Sequence, residues 1–222
     1  MAYFEPDFLD FFKELAANNH KDWFDDNRDR YHKIVKDPFK AYIADVINEI
    51  RKEDPKLGIE PSEAIFRINR DIRFSKEKIP YKNHVSAIVS RNGRKDKSYP
   101  GLYIQFDAEK ASFFGGAYQL SPQQTAQMRQ AIADNLTVFE KLLHADDFKS
   151  AYGKVHGEKA KRIPKDLQAK AEEQPLLFNK SLYYFTELPP ETVLADDLLQ
   201  TTMHYYYIGR PMMQFLERKV FG

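Results

Sequence analysis

Apolar residues recur at helical spacing through the first third of the chain. They run Phe8, Leu9, Phe11, Phe12, Leu15, then Trp23, Phe24, Asn27, Tyr31, Ile34, Val35, then Phe39, Tyr42, Ile43, Val46, Ile47, Ile50. This recurrence predicts three amphipathic helices in succession. Pro6 suits a first helical turn, Asn18-Asn19 punctuates the first break, and Asp37-Pro38 and Asp54-Pro55 mark the next two. Asn27 falls on the apolar stripe of the second helix. An amide satisfied by neighbouring backbone is the plainer reading there, and a role in a site is the other.

Near residue 64 the period changes to two, with Phe66, Ile68, Ile72 and Phe74 alternating with Arg67, Asn69, Asp71, Arg73 and Ser75. That pattern predicts a strand. Further strands are expected at 85–90, 102–106 and 111–118, the first two joined by a polar loop with Asn92-Gly93, so an antiparallel meander results. Ser121-Pro122-Gln123-Gln124 combines an N-cap serine, a first-turn proline and a capping-box glutamine, predicting a helix from there to about Leu143. A polar stretch at 146–173, an apolar run at 176–185 and a last pair of helices split near Gly209-Arg210-Pro211 complete the chain. Strands flanked by runs of helices, without β-α alternation, define an α+β class: a meander sheet between N-terminal and C-terminal helices.

The chain has 222 residues, 42% hydrophobic and 30% charged, enough for one domain spanning 1–222 with its own core. It has no cysteine, which excludes disulfides, thiolate nucleophiles, iron–sulfur clusters and Cys-based zinc sites. Neither a long apolar run nor an apolar stretch after a basic start is present, so neither a membrane span nor a secretory signal is expected and the cytoplasm is the default location. The net charge of +1 conceals an asymmetry. Residues 1–60 hold 10 Lys+Arg against 14 Asp+Glu, residues 61–120 hold 11 against 6, and residues 121–222 hold 13 of each. Attraction of the whole molecule to polyanions is therefore not expected, whereas a local anion-binding surface in the middle third is.

The basic charge concentrates between Arg67 and Lys82, where six basic residues face two acidic ones. Guanidinium groups, an amide, a hydroxyl and lysines at this density are the donors an anionic ligand requires. On a regular strand Asn69, Asp71 and Arg73 share a face at about 7 Å spacing, while Arg67 lies roughly 20 Å from Arg73. Either the ligand is extended, a bulge bends the strand, or Arg67 has a separate partner. The ligand-binding candidates are Arg67, Asn69, Asp71, Arg73, Ser75, Lys76, Lys78, Tyr81 and Lys82. Asp71, flanked by arginines, is expected to orient one of them rather than act as a base. Strict alternation puts Arg70 on the apolar face, where it is expected to form a structural salt bridge to a helix carboxylate such as Asp25, Asp26 or Asp29. The competing reading of the whole segment is an edge strand protected by charge.

Other signals are sparser. Gly115-Gly116 admits close backbone approach or a bulge. Arg129 extends the Ile132-Leu136 stripe and joins the ligand-binding candidates as an arginine reaching over the sheet, the alternative being a snorkelling surface residue. Histidines 20, 32, 84, 144, 156 and 204 show no metal-ligand spacing, so no metal is expected; His84 reads first as a strand-start residue. No nucleophile elbow or base beside Ser75 is found. Tyr205-Tyr206-Tyr207 and the phenylalanines read as core rather than as stacking platforms.

Two segments, Asn18-Asn19-His20-Lys21-Asp22-Trp23-Phe24 and Phe66 through Lys82, together with Phe114-Gly115-Gly116-Ala117-Tyr118 and Met128-Arg129-Gln130-Ala131-Ile132, closely resemble the DUF2461 family of bacterial and fungal proteins. The resemblance extends over nearly the whole chain, implies a single domain, and implies no activity, substrate or cofactor. Ala117 departs from the glycine associated with that position, which bears on close backbone approach there. The residues themselves give the functional expectation: an anion-binding pocket for phosphate or carboxylate on the basic strand and loop, extending to an enzyme acting on a phosphorylated small molecule or nucleotide. No cofactor and no membrane partner are expected. The alternatives are a non-catalytic nucleic-acid-binding module and a structural or protein-interaction domain whose arginines end in internal salt bridges.

Overall fold

The computed structural model describes residues 2–73, 76 and 78–222. The chain is α+β, with helices before and after one antiparallel four-stranded sheet of meander order β1-β2-β3-β4: His84–Val89, Leu102–Asp107, Ala111–Ala117 and Leu182–Leu188. It divides into two compact units. One comprises Met1–Arg94, Tyr103–Phe113 and Glu187–Met203, the other Lys95–Leu102, Phe114–Thr186 and His204–Gly222.

In the first unit α1 (Asp7–Ala17) buries Phe8, Phe11, Phe12 and Leu15, the stripe expected from their spacing. The next two helices, α2 (Lys21–Asp26) and α3 (Arg28–Tyr31), divide at Asn27, whose amide donates to the Trp23 carbonyl at 2.9 Å, the plainer of the two readings of that residue. A π-helical turn at His32–Lys36 then leads without a loop into α4 (Asp37–Glu53), so the break expected at Asp37-Pro38 is absent. Proline costs a helix its amide bond, and the π turn ahead of it already rearranges the ladder, with the Asp37 amide reaching His32 O. The centre of this unit is aromatic: Phe106 meets Phe4, Phe39, Tyr42 and Phe113 at 5.4–6.1 Å. Each such ring contributes roughly 1.5–3 kcal/mol by leaving water. The buried Tyr42 hydroxyl is satisfied by Thr202 Oγ1 at 2.6 Å.

The first unit adds a short α5 (Pro61–Ala64) ahead of β1; in the second unit the capping box at Ser121 and Gln124 forms as expected, but α6 (Pro122–Asp134) stops short. Asn135 leaves helical geometry, and α7 (Leu136–Leu143) follows it, so the single helix expected to about Leu143 is two. Short helices α8 (Asp146–Tyr152) and α9 (Gln168–Glu173) lie within the polar stretch. At the other end the expected split does not occur: α10 (Leu198–Val220) runs through Pro211. Gly209 makes room for the ring of Tyr184, whose hydroxyl donates to the Gly209 carbonyl at 2.6 Å, so the ring buttresses the helix beside the proline. Gly116 is required for a different reason. It has φ +105°, and a side chain there would stand 2.3 Å from Leu182 O, so β3 and β4 pair this closely only around a glycine.

Candidate anion-binding hairpin

The residues from Ile65 to Lys82 belong to the first unit and form a hairpin-like excursion leading into β1 rather than the regular strand expected from their alternation. Pairing is intermittent: antiparallel bridges join Ile65 to Ala87 and Asn69 to Tyr81. Phe66 N donates to Ser86 O, Lys82 N to Ile68 O and Arg70 N to Pro80 O, at 2.8–2.9 Å. Pro80 offers no amide, which interrupts the ladder at that point.

The root of the hairpin is fastened to the α1–α2 turn. Asn18 closes α1, and His20 caps α2 by accepting from Trp23 N at 3.3 Å, which leaves the Asn19 amide facing the returning arm. Asn19 Nδ2 donates to Tyr81 O at 3.1 Å, and Asn19 Oδ1 accepts from Tyr81 N at 3.1 Å. One side chain thus satisfies both backbone groups of Tyr81, as a neighbouring strand would. The Tyr81 ring, 5% exposed, stacks on Phe24 with centroids 4.0 Å apart and planes at 17°. The two segments that most resemble the family are therefore in direct contact.

The tip is held by its own charges. Arg73 closes a fork on Asp71, Nε to Oδ1 at 2.9 Å and Nη2 to Oδ2 at 2.6 Å, and its backbone amide also donates to Oδ1. These bonds, with a smaller contribution from the charge of Arg67, hold the Asp71 carboxyl below the usual carboxylate range. Lys78 Nζ donates to the Ile72 carbonyl at 3.0 Å. Arg67, Asn69, Arg73, Lys76 and Lys78 are all exposed. Ser75 lies outside the described residues. Among the described residues no carboxylate lies within 4 Å of Arg70, and Asp25 is held by Lys21 and Arg28. Without regular alternation Arg70 is half-buried rather than driven into the core. Arg129 lies in the second unit, where it gives its Nε–H to Leu177 O at 2.8 Å and reaches the carbonyls of Phe178 and Asn179.

Beside the root, Lys82 Nζ sits 5.3 Å above the Phe66 ring, and Phe66 leans on Tyr103. The half-open side of β2 then presents a polar row: Tyr103 donates to Gln105 Oε1 at 3.1 Å, and Gln105 to Asp107 Oδ2 at 3.4 Å. His84, at the start of β1, has its pKa pushed down to about 4, first by burial and then by Lys82, against an opposing pull from Asp107. The polar row was not singled out from sequence, although Tyr103, Gln105 and Asp107 alternate with Leu102, Ile104 and Phe106. Among the described residues no three His, Asp or Glu side chains gather as a metal would require, and no helix is long and apolar enough to cross a membrane.

An α+β protein carrying a basic hairpin on an asparagine-fastened root is the class these features define. The chain belongs to the family described as "Conserved hypothetical protein (DUF2461)", whose profile matches residues 7–215. No curated protein and no solved structure matches it.

Proposed function

We propose that this protein binds an anionic ligand bearing phosphate or carboxylate groups, through the hairpin from Arg67 to Lys82. The supporting observation is uncompensated charge. Among the described residues, Arg67, Arg70, Lys76 and Lys78 have no carboxylate within 4 Å, whereas Arg30 and Arg91 are met by Asp7 and Glu14 and by Asp54. A segment that used its arginines to hold the fold would spend them on such internal partners. In this reading Arg73, Lys76, Lys78 and Lys82 meet the anion's oxygens, Asn69 and Ser75 orient it, Asp71 positions Arg73, and Tyr81, buried against Phe24, holds the root of the hairpin instead of touching the ligand.

Binding accounts for these residues better than proton-transfer chemistry does. A general base works best with a pKa near the operating pH. Asp71 is lowered by Arg73, and His84 is lowered to about 4, so both are weak bases at neutral pH. An enzyme acting on a phosphorylated small molecule or nucleotide would need another proton acceptor.

The test is a thermal-shift screen of the wild type and Arg73→Ala against inorganic phosphate, nucleotides, sugar phosphates and small carboxylates. A ligand at 100 times its Kd adds about 2.7 kcal/mol, raising Tm by roughly 5–10 °C. The expected result is a shift by one anion class in the wild type alone. An equal shift in Arg73→Ala would remove the hairpin from the site, and no shift with any class would argue for the structural reading.

A further inference from the structure

The second unit carries a surface that neither the hairpin nor the family assignment accounts for. Five aromatic rings touch in series. Tyr118 meets Tyr183 at 5.6 Å, Tyr183 stacks on His156 at 5.7 Å, His156 lies 4.8 Å from Phe185, and Phe185 stacks on Phe114 at 5.0 Å. None of the five is buried, and Tyr118 is 53% exposed. Their neighbours in sequence, Phe113, Ala117, Leu182 and Tyr184, are buried, so the strand pleat sends one set of rings inward and keeps the other set on the opposite, half-open face. Contiguous rings left at a surface mark a binding site more often than a spare core.

The charge of the segment that runs through His156 narrows the ligand. The chain returns along β4 through reciprocal bonds, His156 N to Tyr183 O at 2.7 Å and Tyr183 N to His156 O at 3.1 Å. That pairing sets His156 among the rings, and the segment through it is strongly basic. Between residues 154 and 165 stand Lys154, Lys159, Lys161, Arg162 and Lys165 against the single acid Glu158, which Lys180 already holds at 2.5 Å. All five cations are exposed and, among the described residues, none is in an ion pair. Burial and the charge of Lys154 lower the pKa of His156, keeping its ring neutral and suited to stacking.

We infer that this ring series, with the basic segment from Lys154 to Lys165, is a binding surface for single-stranded nucleic acid. Successive bases stack on the rings while the cations follow the phosphates, the combination of aromatic platform and electrostatic track by which strands are held without sequence readout. A duplex hides its base faces, and a neutral saccharide gains nothing from five cations. The rings belong to the second unit and the hairpin to the first, and this inference does not depend on the hairpin's ligand.

The experiment is fluorescence anisotropy of labelled 12-mers of rU and dT titrated with the full chain at low and moderate salt. We expect saturable binding of at least one 12-mer that weakens steeply with salt. Tyr118→Ala, at an exposed ring, should weaken it roughly tenfold with unchanged Tm. Lys161→Glu combined with Arg162→Glu should weaken it further and flatten the log–log salt dependence by about 0.7 per lost contact. Phe185→Leu provides a second ring variant should Tyr118→Ala unfold. The inference is overturned if neither 12-mer binds at low salt, if a 12-base-pair duplex binds as tightly, or if maltoheptaose competes with the bound strand. Binding lost in Arg73→Ala but kept in Tyr118→Ala would assign the strand to the hairpin and overturn it equally.

Discussion

The body of the first unit and the hairpin that leaves it both carry arginines, but they use them in opposite ways. Arg30 reaches Asp7 and Glu14 together and lies over the Phe11 ring. Arg91 forks onto Asp54, whose side chain is only 9% exposed. In the hairpin Arg73 pairs with Asp71, two positions away in the same tip and itself exposed. An arginine that joins distant segments ties the fold, because its loss frees a buried or half-buried charge elsewhere. An arginine paired within its own loop shapes the loop and leaves the rest of the protein indifferent to it.

That contrast is open to direct attack. Asp54→Ala takes the carboxylate fork from the half-buried Arg91 guanidinium and also removes the acceptor for Lys56 N, so it should cost about 3 kcal/mol in urea unfolding. A loss under a third of that would mean Arg91 is rescued by solvent and the contrast is overstated. Comparable in size is the effect of pH through His84. Its pKa is 6.5 unperturbed and about 4 here, so between those values the unfolded chain holds the extra proton. The contribution is complete above about pH 6.5 and is lost as pH falls toward 4, by an amount on the order of 3 kcal/mol. His84→Gln should flatten that part of the stability–pH curve; an unchanged slope would assign it to the carboxylates. Arg30→Ala, with a quarter of its side chain exposed, should cost about 1 kcal/mol through lost pairing and packing. Smallest is Arg73→Ala, which should leave Tm unaltered while abolishing the anion response. A Tm drop matching that of Arg30→Ala would place the hairpin arginine with the fold-bearing ones.

Much of the fold was legible because its signals are local. In β2, Leu102, Ile104 and Phe106 alternate with Tyr103, Gln105 and Asp107, and Ser121 with Gln124 announces the start of α6 within four residues. Where the fold departs from the local pattern at Pro211 and in the hairpin, contacts distant in sequence decide; at Pro38 and Asn135 the backbone itself does. Pro211 implies a split, but Tyr184, distant in sequence, buttresses α10 at Gly209 and the helix continues past it. Alternation from Phe66 to Arg73 reads as a strand, yet the pairing is limited to isolated bridges near the hairpin's root. Of the hairpin, composition revealed the charge and nothing of the fastening, since Asn19 and Tyr81 stand 62 positions apart. The aromatic series was invisible for the same reason: its rings come from β3, β4 and the segment around His156, each contributing one to two residues.

The Asn19 amide also bears on which substitutions the hairpin tolerates. It recognises the backbone of residue 81 and not the phenol, so that contact is blind to side-chain identity and fails only when the amide hydrogen is missing, as in Tyr81→Pro. Position 81 can therefore vary under the weaker demand of a flat partner for Phe24. Position 19 has no such latitude: aspartate would keep the acceptor and lose the donor, and leucine would lose both. Two contacting residues thus carry unequal mutational freedom, and a saturation library across both should recover a narrow set at 19 and a broad, mostly aromatic set at 81.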